Sequence, residues 1–298
     1  MSDRNKRIEI ANETVEILKT GTYTAKDPAT NQDTLVHLQQ VLAATCEGTF
    51  LYLPDKVLPI PTITNNQGTD IYLSNETTLG CAQRLSSTRD DGSVGVLNFA
   101  SPKNPGGGFL RGAQAQEESL ACCSGLYSCL ETPQAKPFYE FHTRQTKPGA
   151  PKVPVLLYSS NIIFSPHVPV FRSDQGNLEL LSRPYTCSMI TSCAVNFNMG
   201  MMSKQIKPQD KLIAQQVMMT RALRVLEVAA HHEIDELVLG AWGCGLFKND
   251  PKEVAKAFHA ALIAPKMEGR FKTVVFAIPD DKESKTFKQF AKIFSLRR

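Results

Sequence analysis

The stretch VGVLNFASPKNPGGGFLRGAQAQEE, Val94 to Glu118, decides how this chain is read. It opens on VGVLNF (Val94–Phe99), an apolar run of the kind expected of a strand buried on both faces. Gly106, Gly107 and Gly108 follow. Glycines in series leave backbone N–H groups unshielded and permit positive φ, so such a loop can close around a polyanion. Gln116, Glu117 and Glu118 then open an amphipathic helix expected from Gln114 to Leu130, with Leu120, Cys123, Tyr127 and Leu130 along one side. Two adjacent carboxylates would repel phosphate. Beside a diphosphate cradle they indicate bond-breaking chemistry.

Working outward, the pattern alternates helix and strand. Apolar periodicity predicts a helix over residues 4–19, stopped at Gly21, and another from Thr34 to Cys46, ending at Gly48. Short β-rich runs lie at Thr49–Leu53 and Ile71–Leu73. A helix over Thr77–Leu85 has Asn75 or Thr77 as its cap. Between Glu131 and Met202, proline-rich turns surround two strand-like segments, VLLYSSNIIFSP and YTCSMITS. A helix from Lys211 to His231 precedes two buried strands, ELVLGAW (Glu236–Trp242) and TVVFAIP (Thr273–Pro279). The helix Pro251–Leu262 separates them, and Ser284–Phe294 forms a last helix. This alternation predicts an α/β sandwich, a sheet covered by helices on both faces. With no repeat, low-complexity tract or linker, residues 1–298 read as a single catalytic domain. Residues 1–90 supply an N-terminal helical elaboration and the first strands, and 91–298 the core with both ligand loops.

A second glycine loop, GAWGCGLFKND (Gly240–Asp250), again sits directly after a strand and before a helix. Pro251 suits the first turn of that helix, with Asn249 or Asp250 as its cap. In open α/β sheets ligands bind beyond the carboxyl ends of strands, so two such loops can grip a diphosphate from both sides. Each alone is equally well explained as a tight strand-to-helix turn. Neither matches the P-loop or the dinucleotide fingerprint. Cys244, within GCG, invites a nucleophile reading, but no histidine stands near it in sequence.

Composition excludes several classes. The 298 residues are 42% hydrophobic and 21% charged, ordinary for a globular enzyme. No apolar run approaches the roughly 18 residues of a membrane span, and the N-terminus lacks a signal-peptide pattern, so an intracellular protein without a membrane partner is expected. Net charge is +4 with the basic residues scattered, which predicts no direct nucleic-acid partner. The eight cysteines contain no CxxC, and reduced, mostly buried thiols are expected in place of a metal site.

These motifs carry a resemblance to the microbial-type poly(ADP-ribose) glycohydrolases, a divergent branch of the macrodomain fold. That family's signature is GGG, a short spacer and QEE. Here it stands as Gly106-Gly107-Gly108, the spacer Phe109 to Ala115, then Gln116-Glu117-Glu118. The opening RNKRIEIANETVEIL, NETTL (Asn75–Leu79), VLNFASPKNPGGGFL, SPHVPVF and GAWGCGLFKNDP extend it over nearly the whole chain. The resemblance implies a three-layer α/β/α macrodomain-like sandwich with a mixed sheet, binding poly(ADP-ribose) or ADP-ribose, acting on ADP-ribosylated proteins, and needing no cofactor. It implies that Glu118 is the catalytic acid–base, that Glu117 bonds substrate hydroxyls and that Asn104 holds the scissile ribose. Gly106 to Gly108 and Gln116 would lie beside that ribose. Gly243, Cys244, Gly245, Leu246 and Phe247 would wrap the diphosphate. An ADP-ribose reader with little turnover and a hydrolase of mono-ADP-ribosyl groups are the alternatives.

Four further sites carry expectations. Trp242 reads as packing. The His231–His232 pair suits a helix C-terminus better than a metal. Met199, Met201 and Met202 fit either a loop or core filling. Phe276, in the last strand, is either core or an adenine-stacking ring.

Overall fold

The computed structural model describes residues 3–61, 68–87, 93–145, 157–198 and 207–295. Seven strands form one mixed sheet: β3 (Phe50–Tyr52), β4 (Asp70–Ser74), β5 (Val94–Phe99), β6 (Ile162–Arg172), β7 (Leu180–Ser192), β8 (Glu236–Leu239) and β9 (Thr273–Ala277), in the order β3-β6-β7-β5-β8-β9-β4. Strands β7, β5, β8, β9 and β4 run parallel, while β6 pairs antiparallel with β3 and β7. A separate hairpin joins β1 (Thr22–Lys26) to β2 (Asp33–His37).

Period-two side chains build the layers. Leu97, Leu237, Leu239, Val274 and Phe276 face one core with α7 (Pro208–His231), α8 (Pro251–Leu262) and α9 (Lys285–Phe294). Val94, Val96, Val238 and Val275 face the other, covered by α1 (Asp3–Thr20), α3 (Thr78–Ser86), α4 (Gln116–Cys123), α5 (Leu126–Leu130) and α6 (Lys136–Gln145). The expected sandwich with sheet in the middle is therefore present. Alternation within the short apolar runs is what lets one strand serve two cores.

Three elements depart from expectation. Residues 34–37 are strand, because Thr34 to His37 pair with β1 in register Tyr23↔Val36; α2 starts only at Gln39 and ends at Glu47. The helix expected over Gln114–Leu130 is two. Ser124 is extended (φ −146°, ψ 176°) and bridges Val170, while the Gly125 N–H donates to the Pro169 carbonyl at 2.8 Å. Sheet pairing thus wins over helical periodicity at that point. The strand-like NIIFSP continues through Pro166, where a register shift between Ser165 and Val168 absorbs the missing donor and His167 takes φ +46°. Both Thr77 and Ser284 cap their helices, accepting from the Gly80 and Phe287 N–H groups. Met199, Met201 and Met202 lie outside the described residues.

Phe276 is core: fully buried, it packs among Phe258, Phe290 and Phe294, with ring centroids 4.4 Å apart in the last case. The adenine-stacking alternative does not hold. Trp242 is also fully buried and donates its indole N–H to the Ser192 carbonyl, which fits the packing reading. All eight cysteines are free thiols.

Because Ser284 lies far along the chain from either glycine loop, Ser284→Ala should lower the unfolding free energy by about 1 kcal/mol through the lost cap. Urea denaturation would show a lower midpoint at constant m.

Candidate active site

Parallel strands β5, β7, β8 and β9 end on one edge of the sheet, and both glycine loops leave from it. Gly240, following β8, is the hinge between them: a Cβ there would lie 2.7 Å from the Ala277 carbonyl oxygen and 3.1 Å from the Phe99 ring. Only glycine lets the second loop start this close to β5 and β9.

In the first loop, Gly106 and Gly107 have φ of +65° and +64°. A Cβ on Gly107 would stand 2.3 Å from Glu118 Oε1 and 3.1 Å from Glu117 Oε2. The turn and the two acids therefore interlock. Two of its N–H groups are already committed. Gly108 donates to Glu118 Oε1 at 2.8 Å and Gly107 to the Asn104 carbonyl at 2.9 Å, while the Gly106 N–H lies near the Glu117 carboxyl. The first loop holds carboxyl groups with the donors expected to cradle phosphate.

Glu117 is 3% exposed; it also accepts from the Ser101 N–H at 2.6 Å and sits against the Asn98 amide. Burial, with the neighbouring Glu118 charge, pushes its carboxyl well above the ordinary range despite these donors. Glu118 is half-buried and faces the glycine turn. Gln116 does something the sequence did not indicate: its Oε1 accepts from the Phe99 N–H at 2.9 Å, and its Nε2 donates to the Leu97 carbonyl at 2.7 Å and to Thr78 Oγ1. Both ends of the amide bind protein, fixing the start of α4 to the end of β5. Asn104 is exposed.

The second loop differs in its donors. Gly243 (φ +73°) accepts from the Asn249 N–H and from Asn249 Nδ2, which also donates to the Val195 carbonyl at 2.7 Å. The Phe247 carbonyl accepts from the N–H groups of Phe197 and Asn198. Yet among the described residues the N–H groups of Gly245, Leu246 and Phe247 donate to no protein acceptor. Gly245 is open to solvent and Leu246 is 74% exposed. Three consecutive N–H groups of this loop are therefore left without a protein acceptor. The Cys244 thiol lies against the Trp242 carbonyl, and burial raises its pKa to about 12, so it is not a poised nucleophile. Asp250, as expected, caps α8 through the Lys252 N–H.

Residues without a sequence signal hold these loops. His142 on α6 accepts the Ser159 N–H at Nε2 and so carries its proton on Nδ1, donating to the Phe138 carbonyl. Arg221 on α7, fully buried, donates to the carbonyls of Leu157 and Cys193 and to Ser160 Oγ. Asn196 Nδ2 donates to Tyr158 Oη, and the Tyr158 ring lies 6.0 Å from that of Phe247. Arg221 alone was findable, as a cation on the apolar stripe of Ala214, Met218, Ala222 and Val225. His231 and His232 end α7, where His232 stacks on Phe164 and bonds Tyr52. Among the described residues no group of three or more His, Cys, Asp or Glu could hold a metal ion, and no helix is long and apolar enough to cross a membrane.

An acid pair seated on a glycine turn, with a second glycine loop at the strand ends of a three-layer sandwich, marks a macrodomain-like fold. The chain belongs to the microbial-type poly(ADP-ribose) glycohydrolase family. The family model described as microbial-type PARG, catalytic domain, matches residues 11–173. The crystal structure of poly(ADP-ribose) glycohydrolase from Thermomonospora curvata is 41% identical, with TM-score 0.84 over 97% of this chain and 100% of that one. The same enzyme bound to the inhibitor ADP-HPD is 42% identical, with TM-score 0.80 over 97% and 99%. The enzyme from Deinococcus radiodurans in complex with ADP-ribose is 35% identical, with TM-score 0.70 over 85% and 96%. No curated protein sequence matches the chain.

Burial, aided by the Arg221 charge, lowers the pKa of His142 from 6.5 to about 4. The folded protein favours the neutral ring, so the stability it gives is complete above pH 6.5 and is lost as pH falls towards 4. Across that window, the unfolding free energy of the wild type should fall more steeply with pH than that of His142→Gln, by up to one proton. Parallel slopes in denaturant titrations would remove this role for His142.

Proposed function

We propose that the chain, acting as one catalytic unit, hydrolyses the ribose–ribose O-glycosidic bonds of poly(ADP-ribose) and releases ADP-ribose. The observation that carries this reading is the seating of Glu118 against Gly107 and Gly108. This half-buried carboxyl is held by the Gly108 N–H against a backbone that admits nothing larger than hydrogen at Gly107. The unshared N–H groups of Gly245 to Phe247 supply the diphosphate contact, with the Phe247 ring covering the adjacent ribose. The exposed Asn104 amide lies at the mouth of the same turn and binds the scissile ribose.

Cleavage of an acetal passes through an oxocarbenium-like transition state and needs a proton on the departing oxygen. Glu118 gives that proton and then takes one from the attacking water. Glu117, whose carboxyl burial pushes well above the ordinary range, lies beside Glu118 and bonds the substrate hydroxyls once the sugar is seated. The bound diphosphate offsets the positive charge developing on the ribose. Gln116 acts through position, by fixing both acids to the end of β5. The ADP-ribosylated proteins that carry the polymer are the partners of this reaction. A pure reader would gain nothing from two interlocked acids, so hydrolysis is favoured over binding alone.

Glu118→Gln should lower turnover on poly(ADP-ribose) by about 10²–10⁴-fold, the usual worth of a general acid–base, while calorimetric ADP-ribose binding persists. Wild-type turnover in that variant would sink the mechanism. Gly107→Ala should also abolish release of ADP-ribose, because its methyl group must displace the Glu118 carboxylate.

A further inference from the structure

A cavity of about 540 Å³ lies on the outer side of the first glycine loop, between Pro105 and the α5–α6 segment. That is within the ~300–1,000 Å³ range of small-ligand sites. Pro105, which lines the cavity, directly precedes the glycine turn that seats the acid pair. Leu130 and Tyr139 add apolar surface to it. Tyr139 is 6% exposed, and its hydroxyl is buried with no hydrogen-bond partner. A hydroxyl left unpaired in the interior costs stability, and such atoms call for an explanation other than folding. The charged lining is balanced: Glu131 and Glu140 stand against Lys136 and Arg144, and Arg144 pairs with Glu140 at 2.8 Å.

In poly(ADP-ribose), the oxygen that leaves at the cut belongs to the adenosine ribose of the preceding unit. What lies just beyond the cut is therefore an adenosine whose base and ribose are uncharged, flat on the base faces and edged with both donors and acceptors, its 5′-diphosphate leading away from the cut. A cavity without net charge, with apolar walls and both kinds of polar group, matches that chemistry better than a polyanion or a purely apolar ligand. We infer that the cavity between Pro105 and α6 is an acceptor subsite that takes the adenosine on the leaving side of the scissile bond. This inference rests on the polymer-hydrolase reading above. It gives the enzyme a grip on both sides of the bond, so that binding energy from the non-reacting unit orients the reacting one.

Thr143, exposed on α6 at the rim, allows the cavity to be filled from outside. Thr143→Trp should raise KM for poly(ADP-ribose) by roughly fivefold or more, the loss expected when one nucleoside contact is blocked, with the calorimetric Kd for ADP-ribose unchanged. Tyr139→Phe should raise KM in the same direction and leave the thermal midpoint equal or higher; a purely structural tyrosine would alter the midpoint and not KM. Adenosine titrated into wild type saturated with ADP-ribose should shift the amide resonances of Leu130, Tyr139 and Thr143 saturably. That titration needs no turnover, so it separates this subsite from the hydrolase reading, which fails only if wild type releases no ADP-ribose from polymer. Unchanged polymer KM in both variants, or an adenosine titration that moves none of these resonances, overturns the subsite.

Discussion

The absence of a side chain at Gly107 is the constraint from which the site follows. Consecutive residues on a helix point roughly 100° apart, so Glu117 and Glu118 cannot converge on one atom by helical geometry alone. The glycine turn brings them together from the other side. Its positive-φ backbone stands against both carboxyl groups, and the Gly108 N–H donates to that of Glu118. Unequal burial then divides the pair. One carboxyl is buried against Ser101 and Asn98, and the other is half-exposed. Two identical side chains thus meet different surroundings in the same turn.

Everything around the turn serves to keep that geometry from relaxing. Gln116 ties α4 to β5, His142 ties α6 to the segment before β6, and Arg221 ties α7 to the segments before β6 and after β7. Arg221 is a buried guanidinium whose acceptors are carbonyl and hydroxyl oxygens. Burial holds its pKa down to about 10, which still leaves it charged in the physiological range. A positive charge sealed beneath the strand ends favours any anion bound above them, without offering that anion a direct contact. The unshared N–H groups of the second loop and the buried cation both favour negative charge at this edge of the sheet.

Much of this was legible in residues 94–118 and 240–250. Strand, glycine loop and helix follow in order there, and the local chemistry agrees with the global fold. Pro251 after Asp250 marked the start of α8 without error. Other features were hidden because they depend on partners distant in sequence. Thr34–His37 has helical periodicity but lies within reach of β1. Ser124 breaks a regular apolar stripe only because Val170 and Pro169 are waiting across from it. In the site, the acids were visible by type and spacing. The division of labour between the loops was not, since which N–H groups remain unshared is a property of folded hydrogen bonding. Gln116 was misleading for the same reason, because an amide next to two acids looks like a ligand contact until its backbone partners are seen.

The amino-terminal helix α1 reaches into this arrangement. Arg4 and Arg7 donate to the carbonyls of Arg111 and Gly112, and Thr14 donates to Cys122 at 2.6 Å, so α1 spans the loop between the glycines and the acids and the far end of α4. A Cβ on Gly112 would come within 2.7 Å of the Arg4 carbonyl oxygen, which leaves no slack in the contact. Helix α1 therefore acts as a brace on residues 106–118. A bulky fusion placed ahead of it, or a protease cut after Gly21, would loosen the reaction centre without touching any group that meets the substrate.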